Sequence, residues 1–195
     1  QDILNMLNTR YFILPGQDRQ PQAQRNPGAF GPAWLVNNIQ TVATNDAEFA
    51  ALGSVDNLKS TAIIHEEFAD AINGLTPSGQ GSINITKYSP DELTYDFNSS
   101  SEQLVVFSEM WYGPDLGWEV EIDGQPAELI RTNYVLRGLR VPAGQHVITM
   151  KFVPSSFYTG RAISMICSLL ILLGIVGYAA YSYLKKDKLD LPTTS

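Results

Sequence analysis

The sequence predicts a mainly β protein, in which a small α/β N-terminal part and a β-sandwich precede one C-terminal transmembrane helix. Short strand-like runs separated by turn residues predict the sandwich, and an uncharged apolar run predicts the helix. The predicted domains are an α/β portion packed on the sandwich, the sandwich, the transmembrane helix and a cytoplasmic tail: residues 1–80, 81–157, 158–184 and 185–195.

The N-terminal part mixes helical and strand-like patterns. Leucines at helical spacing predict a short helix over residues 2–8. Residues 15–32 are rich in Gln, Pro, Arg and Gly, and predict a loop or a hairpin excursion. Asn45 followed by Glu48 has the spacing of a capping box, which predicts a helix over residues 46–52. The predicted strands of this part are residues 10–14, 33–43 and 60–68.

From residue 81 to the end of the soluble part, the pattern is wholly that of strands. Glu119 and Glu121 alternate with apolar residues, which is typical of a strand buried on one face. The run over residues 103–109 is continuously apolar until its end, so we expect burial on both faces. Asp123-Gly124 predicts a hairpin turn. The predicted strands are residues 81–89, 92–98, 103–109, 118–122, 125–129, 134–141 and 145–153.

Residues 163–184 carry no charge, and about 20 apolar residues cross the hydrocarbon core of a bilayer. A buried core helix is the alternative, but a core helix of this length would carry a polar face. Lysines dominate the tail after residue 184, whereas only Arg161 precedes the run. The positive-inside tendency therefore predicts a cytoplasmic C-terminus and an extracytoplasmic location for residues 1–160, with the lipid bilayer as a partner.

Composition and charge exclude several classes of function. The net charge of −7 would repel phosphate backbones, so no nucleic-acid partner is expected. The single cysteine, Cys167, lies in the apolar run and cannot form a disulfide within the chain. His65 and His146 lie in different predicted strands, and neither belongs to a zinc-binding motif. The sequence predicts no catalytic residue, cofactor or metal site.

One group of residues resembles a sugar-binding site in outline. Glu109 ends a buried strand, and Trp111, Tyr112 and Trp118 follow it closely. Aromatic faces stack on sugar rings, and carboxylates accept hydrogen bonds from sugar hydroxyl groups. These four residues are therefore candidate glycan contacts. The alternative is that Trp118 belongs to the core while Trp111 and Tyr112 cover a loop.

An ordered set of motifs resembles a known family. The apolar run is preceded by six motifs in a fixed order. They are a strand ending in Ser-Glu, an aromatic loop, Gly-Trp before a strand, Asp-Gly, Val-Pro-x-Gly-x-His and an aromatic-x-Pro. Together these motifs resemble the C-terminal end of bacterial YfhO-like membrane proteins, particularly the long Bacteroidetes-type members. Residues 7–13 and 31–36 add to the resemblance. Residues 112–118 depart from it, because the loop between Tyr112 and Trp118 is longer than the usual Tyr-Pro-Gly-Trp.

The resemblance implies a polytopic protein of the bacterial inner membrane, similar to lipid-linked-sugar-dependent membrane glycosyltransferases. The chain would be the C-terminal piece of that protein, an accessory periplasmic domain with the last transmembrane helix. Its partners would be upstream transmembrane helices and a glycan or lipid-linked sugar, and the family's catalytic acid would lie before Gln1. The alternative is a non-catalytic, membrane-anchored interaction module or a subunit of a membrane complex.

Overall fold

The computed structural model of the chain describes residues 1–16, 20–113 and 116–189, with side chains described as far as residue 185. The chain divides into two compact units, Gln1–Val153 and Pro154–Ser195, and each is described by itself. The first unit contains every described strand. The second contains the long C-terminal helix.

The first unit contains two antiparallel sheets that pack as a sandwich. The strands of these two sheets are β3 (Ala33–Leu35), β6 (Ser82–Ser89), β7 (Glu92–Ser99), β8 (Gln103–Met110), β9 (Trp118–Ile122), β10 (Gln125–Ala127), β11 (Leu129–Thr132), β12 (Leu136–Val141) and β13 (Gly144–Phe152). The five-stranded sheet has the order β10-β9-β13-β7-β6, and the four-stranded sheet has the order β11-β12-β8-β3.

The sandwich core lies between the two sheets. Its centre is an edge-to-face pair, in which the rings of Tyr95 on β7 and Phe107 on β8 are 4.9 Å apart. Both side chains are fully buried. Alternate residues of the strands supply the rest of this core: Leu93, Phe97, Val105, Val120, Leu139, Val141, Ile148 and Met150.

A second core covers the other face of the four-stranded sheet. β8 contributes to both cores, because Val105 and Phe107 face the sandwich while Leu104 and Val106 face the second core. The predicted burial of this strand on both faces is therefore confirmed. The prediction of a mainly β fold with a small N-terminal α/β part is also confirmed.

The N-terminal segments supply the other side of the second core. They comprise α1 (Asp2–Met6), the hairpin β1 (Tyr11–Pro15) and β2 (Pro21–Arg25), the parallel pair β4 (Asn38–Val42) and β5 (Thr61–His65), and α2 (Asn45–Ser54). Two short 3-10 turns, Glu66–Phe68 and Asp70–Ile72, follow β5. Met6, Leu52, Leu58, Ile63 and Ile64 are buried here.

Several local predictions were wrong. The strand predicted over residues 60–68 ends at His65, because the backbone N–H of Glu67 donates to His65 Nδ1 and the chain turns into a 3-10 helix. The strand predicted over residues 125–129 is divided between two sheets, because β10 pairs with β9 whereas Leu129 begins β11 and pairs with β12.

The strand predicted over residues 33–43 is two strands in different sheets, because the chain leaves β3 after Leu35 and the backbone N–H groups of Asn37 and Asn38 both donate to Ser60 O. The N-cap of α2 is Thr44, not Asn45, since Thr44 Oγ1 accepts a hydrogen bond from the backbone N–H of Ala47. Glu48 is therefore free to turn inward, where it is fully buried.

The second unit is the helix α3 (Ser155–Leu189). Its stretch Ser155–Lys185 is long and apolar enough to cross a membrane. Its side chains are exposed throughout, whereas the core helix of a soluble protein would be mostly buried. The described chain therefore contains one candidate membrane span, where the sequence predicted it.

Candidate functional site

A cleft of 570 Å³ opens at the edge of the sandwich formed by β10 and β11, and we call it the aromatic cleft. Three of the four candidate glycan contacts lie in its lining, namely Trp111, Tyr112 and Trp118. Phe68 and the segments 119–121 and 126–129 complete the lining. The cleft thus combines four aromatic residues with three glutamates, Glu119, Glu121 and Glu128.

The loop after β8 positions the first two aromatic residues. The backbone N–H of Trp111 donates to Val135 O at 2.7 Å, which attaches this loop to the segment before β12. The indole of Trp111 packs against Phe68 with the ring centres 5.6 Å apart and nearly perpendicular. Tyr112 is half exposed. This arrangement leaves aromatic surface available at the cleft.

Trp118 begins β9, and a buried arginine holds its ring. The guanidinium of Arg137 lies 4.1 Å from the centre of the Trp118 ring, a cation–π contact. Arg137 is only 2% exposed, and its Nε donates to Met110 O at 2.9 Å. Desolvation lowers the pKa of Arg137, while the nearby Glu109 carboxyl acts to raise it. Trp118 also packs against the sandwich core, so the ring belongs to both the core and the cleft.

The fourth candidate, Glu109, lies in a different cleft. This cleft of 550 Å³, which we call the Glu109 cleft, is lined by Leu7, Asn8, Arg10, Pro32, Ile85, Tyr88, Ser108 and Glu109. It lies at the opposite edge of the sandwich, near β6 and β3. Burial raises the pKa of the Glu109 carboxyl, and the charge of Arg137 partly offsets that effect.

Sequence reasoning missed several residues of the aromatic cleft. Phe68 lies in a 3-10 turn beyond β5, and only the tertiary fold brings it to Trp111. Glu119 and Glu121 alternate with apolar residues, as on the solvent-facing side of any strand, so this pattern does not predict a cleft. The closeness of Trp111, Tyr112 and Trp118 in sequence predicted that they lie together, and all three line this cleft.

Both histidines form hydrogen bonds with residues near them. The described residues contain no group of three or more His, Cys, Asp and Glu side chains that could hold a metal ion. His65 Nδ1 accepts a hydrogen bond from the backbone N–H of Glu67. His146 Nδ1 lies 2.6 Å from Asp123 Oδ2, and Asp123 Oδ1 accepts from the backbone N–H of Val147.

The His146–Asp123 pair predicts a pH dependence of stability. Its hydrogen bond raises the pKa of His146 and lowers the pKa of Asp123. The contribution of His146 is fully present below its unfolded value of 6.5 and is lost as the pH rises through the folded value. The contribution of Asp123 is present above its unfolded value of 3.8 and is lost as the pH falls through the folded value.

We therefore expect raising the pH from about 6 to about 9 to lower the melting temperature of the wild type more than that of His146→Gln. The glutamine keeps hydrogen-bonding capacity but does not titrate. The measurement is thermal unfolding followed by tryptophan fluorescence at each pH. Equal shifts for both proteins would show that the pair does not stabilise the fold.

The fold and the helix define a class, a β domain carried on a candidate membrane-spanning helix. Comparison with known families agrees with that class: the profile described as bacterial membrane protein YfhO matches residues 54–164. The match covers more than half of the chain, from the end of α2 into α3, so the chain belongs to the YfhO family.

A more distant match supports the same family. The chain is 20% identical over 113 residues to a protein of Bacillus subtilis (strain 168) described as uncharacterized protein YfhO. That match covers 58% of this chain but only 13% of the relative's length. No solved structure matches the chain.

Proposed function

We propose that this chain is an accessory extracytoplasmic domain, with the last transmembrane helix, of a glycosyltransferase-like membrane protein. In this proposal the aromatic cleft contacts the glycan acceptor. The observation that carries the proposal is the convergence of Trp111, Tyr112 and Trp118 on one cleft. Membership of a membrane-protein family and the apolar helix α3 support the membrane setting.

The physical chemistry of the cleft suits a saccharide. Aromatic rings offer flat apolar surfaces to the C–H faces of a sugar ring. Carboxylates accept hydrogen bonds from its hydroxyl groups, and Glu119, Glu121 and Glu128 lie in the lining. The volume of 570 Å³ falls within the usual range for small-ligand sites.

The charge of the lining residues restricts the class of ligand that we propose for the cleft. Lys151 Nζ lies 4.0 Å from Oε2 of Glu121, whereas Glu119 and Glu128 form no ion pair within the described part of the chain. These two glutamates give the cleft a negative field, within a chain whose net charge is −7. Such a field favours uncharged or cationic sugars over phosphorylated or acidic ones.

The proposed setting is the inner membrane of a bacterium, with residues 1–160 in the periplasm and the C-terminus in the cytoplasm. The lysine-rich tail supports this orientation. The matched relative is much longer than this chain, which supports a parent protein with further transmembrane helices as partners. The donor would be a lipid-linked sugar, as in the Bacteroidetes-type resemblance, and the catalytic acid would lie upstream of Gln1.

Substitution in the aromatic cleft tests the proposal. We expect Trp111→Ala and Tyr112→Ala each to weaken glycan binding at least about fivefold, because loss of a stacked ring costs on the order of 1 kcal/mol or more. Binding of neutral oligosaccharides to the nanodisc-held protein can be measured by saturation-transfer NMR. Tyr11→Ala is the matched control, since Tyr11 is 60% exposed on the β1–β2 hairpin. Unchanged affinity in both cleft variants would contradict the proposal.

One observation favours the second candidate, an interaction module. The β1–β2 hairpin pairs only with itself among the described strands, and it exposes 75% of Ile13 and 48% of Leu14. Isolated hairpins with exposed apolar side chains are marginal in water, which favours a protein partner. Ile13→Asp should then reduce co-purification of a membrane partner while leaving oligosaccharide binding unchanged. Unchanged co-purification would remove this candidate.

A further inference from the structure

We propose that the Glu109 cleft is a second saccharide-binding site, separate from the aromatic cleft and specific for a neutral sugar with free hydroxyl groups. The inference rests on the proposed function, because it assigns a second contact with glycan to the same domain. It stands on different residues from the first site, at the opposite edge of the sandwich.

The main evidence is a half-buried carboxyl group that the described residues do not satisfy. Glu109 forms no hydrogen bond and no ion pair within the described part of the chain. The Glu109 oxygens are not among the buried, unpaired polar atoms of the described residues, so they face the open cleft and can reach a ligand there. A ligand that donates hydrogen bonds to Glu109 would therefore meet a carboxyl group that no other described side chain already binds.

The same domain satisfies its other inward-facing carboxylate completely. Glu48 Oε2 lies 3.1 Å from Arg131 Nη2, and Glu48 Oε1 accepts from the backbone N–H of Tyr134 at 2.8 Å. The charge of Arg137 acts on Glu109, but the described contacts of its guanidinium are with Met110 O, Met150 Sδ and the Trp118 ring, and none is a hydrogen bond to Glu109. Glu109 thus differs from a structural glutamate.

The walls of the cleft are held in place by buried hydrogen bonds. Ser108 Oγ lies 2.9 Å from Met6 O and 2.6 Å from Gly31 O, so the end of β8 is attached both to α1 and to the segment before β3. Asn26, only 4% exposed, donates to Asn5 Oδ1 and to Thr9 O. These contacts fix the segment that carries Asn8 and Arg10, so the cleft is formed before any ligand arrives.

The lining chemistry indicates the class of ligand. Glu109 accepts hydrogen bonds, Arg10 donates them, and the carboxamide of Asn8 can do both. Tyr88 is 73% exposed and offers a ring face. Neighbouring sugar hydroxyl groups match this mixture, since each can donate to the carboxylate and accept from the guanidinium. A dianionic phosphate would instead be repelled by Glu109.

The experiment compares variants of both clefts. We would titrate the nanodisc-held wild-type chain with methyl β-glucoside, N-acetylglucosamine and their short oligomers, using saturation-transfer NMR. Glu109→Gln should weaken binding of at least one probe about tenfold, because it replaces a charged hydrogen-bond acceptor. Tyr88→Ala should weaken binding of the same probe. Because Tyr88 is exposed, this substitution is not expected to unfold the domain. Inorganic phosphate should not compete.

The outcomes separate the two proposals. If Glu109→Gln and Tyr88→Ala bind every probe as the wild type does while Trp111→Ala does not, the Glu109 cleft is not a sugar site and the proposed function stands. If only the Glu109-cleft variants lose binding, the second site stands and the aromatic cleft is wrongly assigned. Absence of any binding to the wild type would overturn both proposals. Competition by phosphate would overturn the assignment to a neutral sugar.

Discussion

Replacing Glu48 with alanine is expected to lower the free energy of unfolding of the β domain by about 3 to 5 kcal/mol, the range for breaking a buried ion pair by removing one partner. Glu48 is fully buried on α2, and its two oxygens bind Arg131 and the backbone N–H of Tyr134. Alanine would leave that N–H without its partner and remove the buried carboxylate that faces Arg131.

Glu67→Ala provides a matched control on the same arginine. Glu67 Oε1 also lies 3.1 Å from Arg131 Nη2, but its side chain is 51% exposed, so its loss should cost less than about 1 kcal/mol. Urea unfolding followed by tryptophan fluorescence reports on the β domain alone, because all three tryptophans lie in it. Equal losses for Glu48→Ala and Glu67→Ala would contradict this account of the buried pair.

Replacing Phe107 with alanine should cost about 3 to 5 kcal/mol, the range for removing a buried aromatic side chain. Phe107 is fully buried at the centre of β8, and its ring packs edge to face on Tyr95. The cavity would open between the two sheets, where paired strands on both sides limit how far the structure can relax.

Phe49→Ala is the corresponding control on a surface helix. The Phe49 side chain is 63% exposed and packs edge to face on Tyr134, so its removal should cost less than about 1 kcal/mol. Urea unfolding of both variants under the same conditions gives the comparison. A small loss for Phe107→Ala would mean that the two sheets do not share the packed core described above.

Local patterns in the sequence were sufficient to predict most strands and the apolar helix. The alternation around Val120 predicted one buried face, and the continuous run of β8 predicted two. Both signals depend only on neighbouring residues, because side chains alternate between the faces of a strand. The apolar helix was predicted from length and lack of charge alone.

Features that depend on tertiary contacts could not be predicted in this way. The break after β3 depends on Ser60, which accepts hydrogen bonds from a segment distant in sequence. The role of Glu48 depends on Arg131, a strand residue that no local pattern connects to α2. The capping-box spacing assigned Glu48 to the start of α2, whereas the structure buries its side chain in an ion pair with Arg131.

The residues of the candidate site also could not be grouped correctly from the local sequence alone. Glu109, Trp111 and Tyr112 are close in sequence, which suggested one group of contacts. β8 ends at Met110, however, and Glu109 continues the alternation of Val105 and Phe107 toward the sandwich. Glu109 and the two aromatic residues therefore lie at opposite edges of the fold.

We propose above all that the β domain lies outside the cytoplasm and that α3 spans the membrane. Labelling with a membrane-impermeant maleimide in spheroplasts tests it most directly, because the one native cysteine, Cys167, can be replaced by serine. We expect Gln40→Cys, at an exposed position on β4, to be labelled in intact spheroplasts, and Thr193→Cys only after permeabilisation. Protection of Gln40→Cys together with labelling of Thr193→Cys in intact spheroplasts would contradict the account.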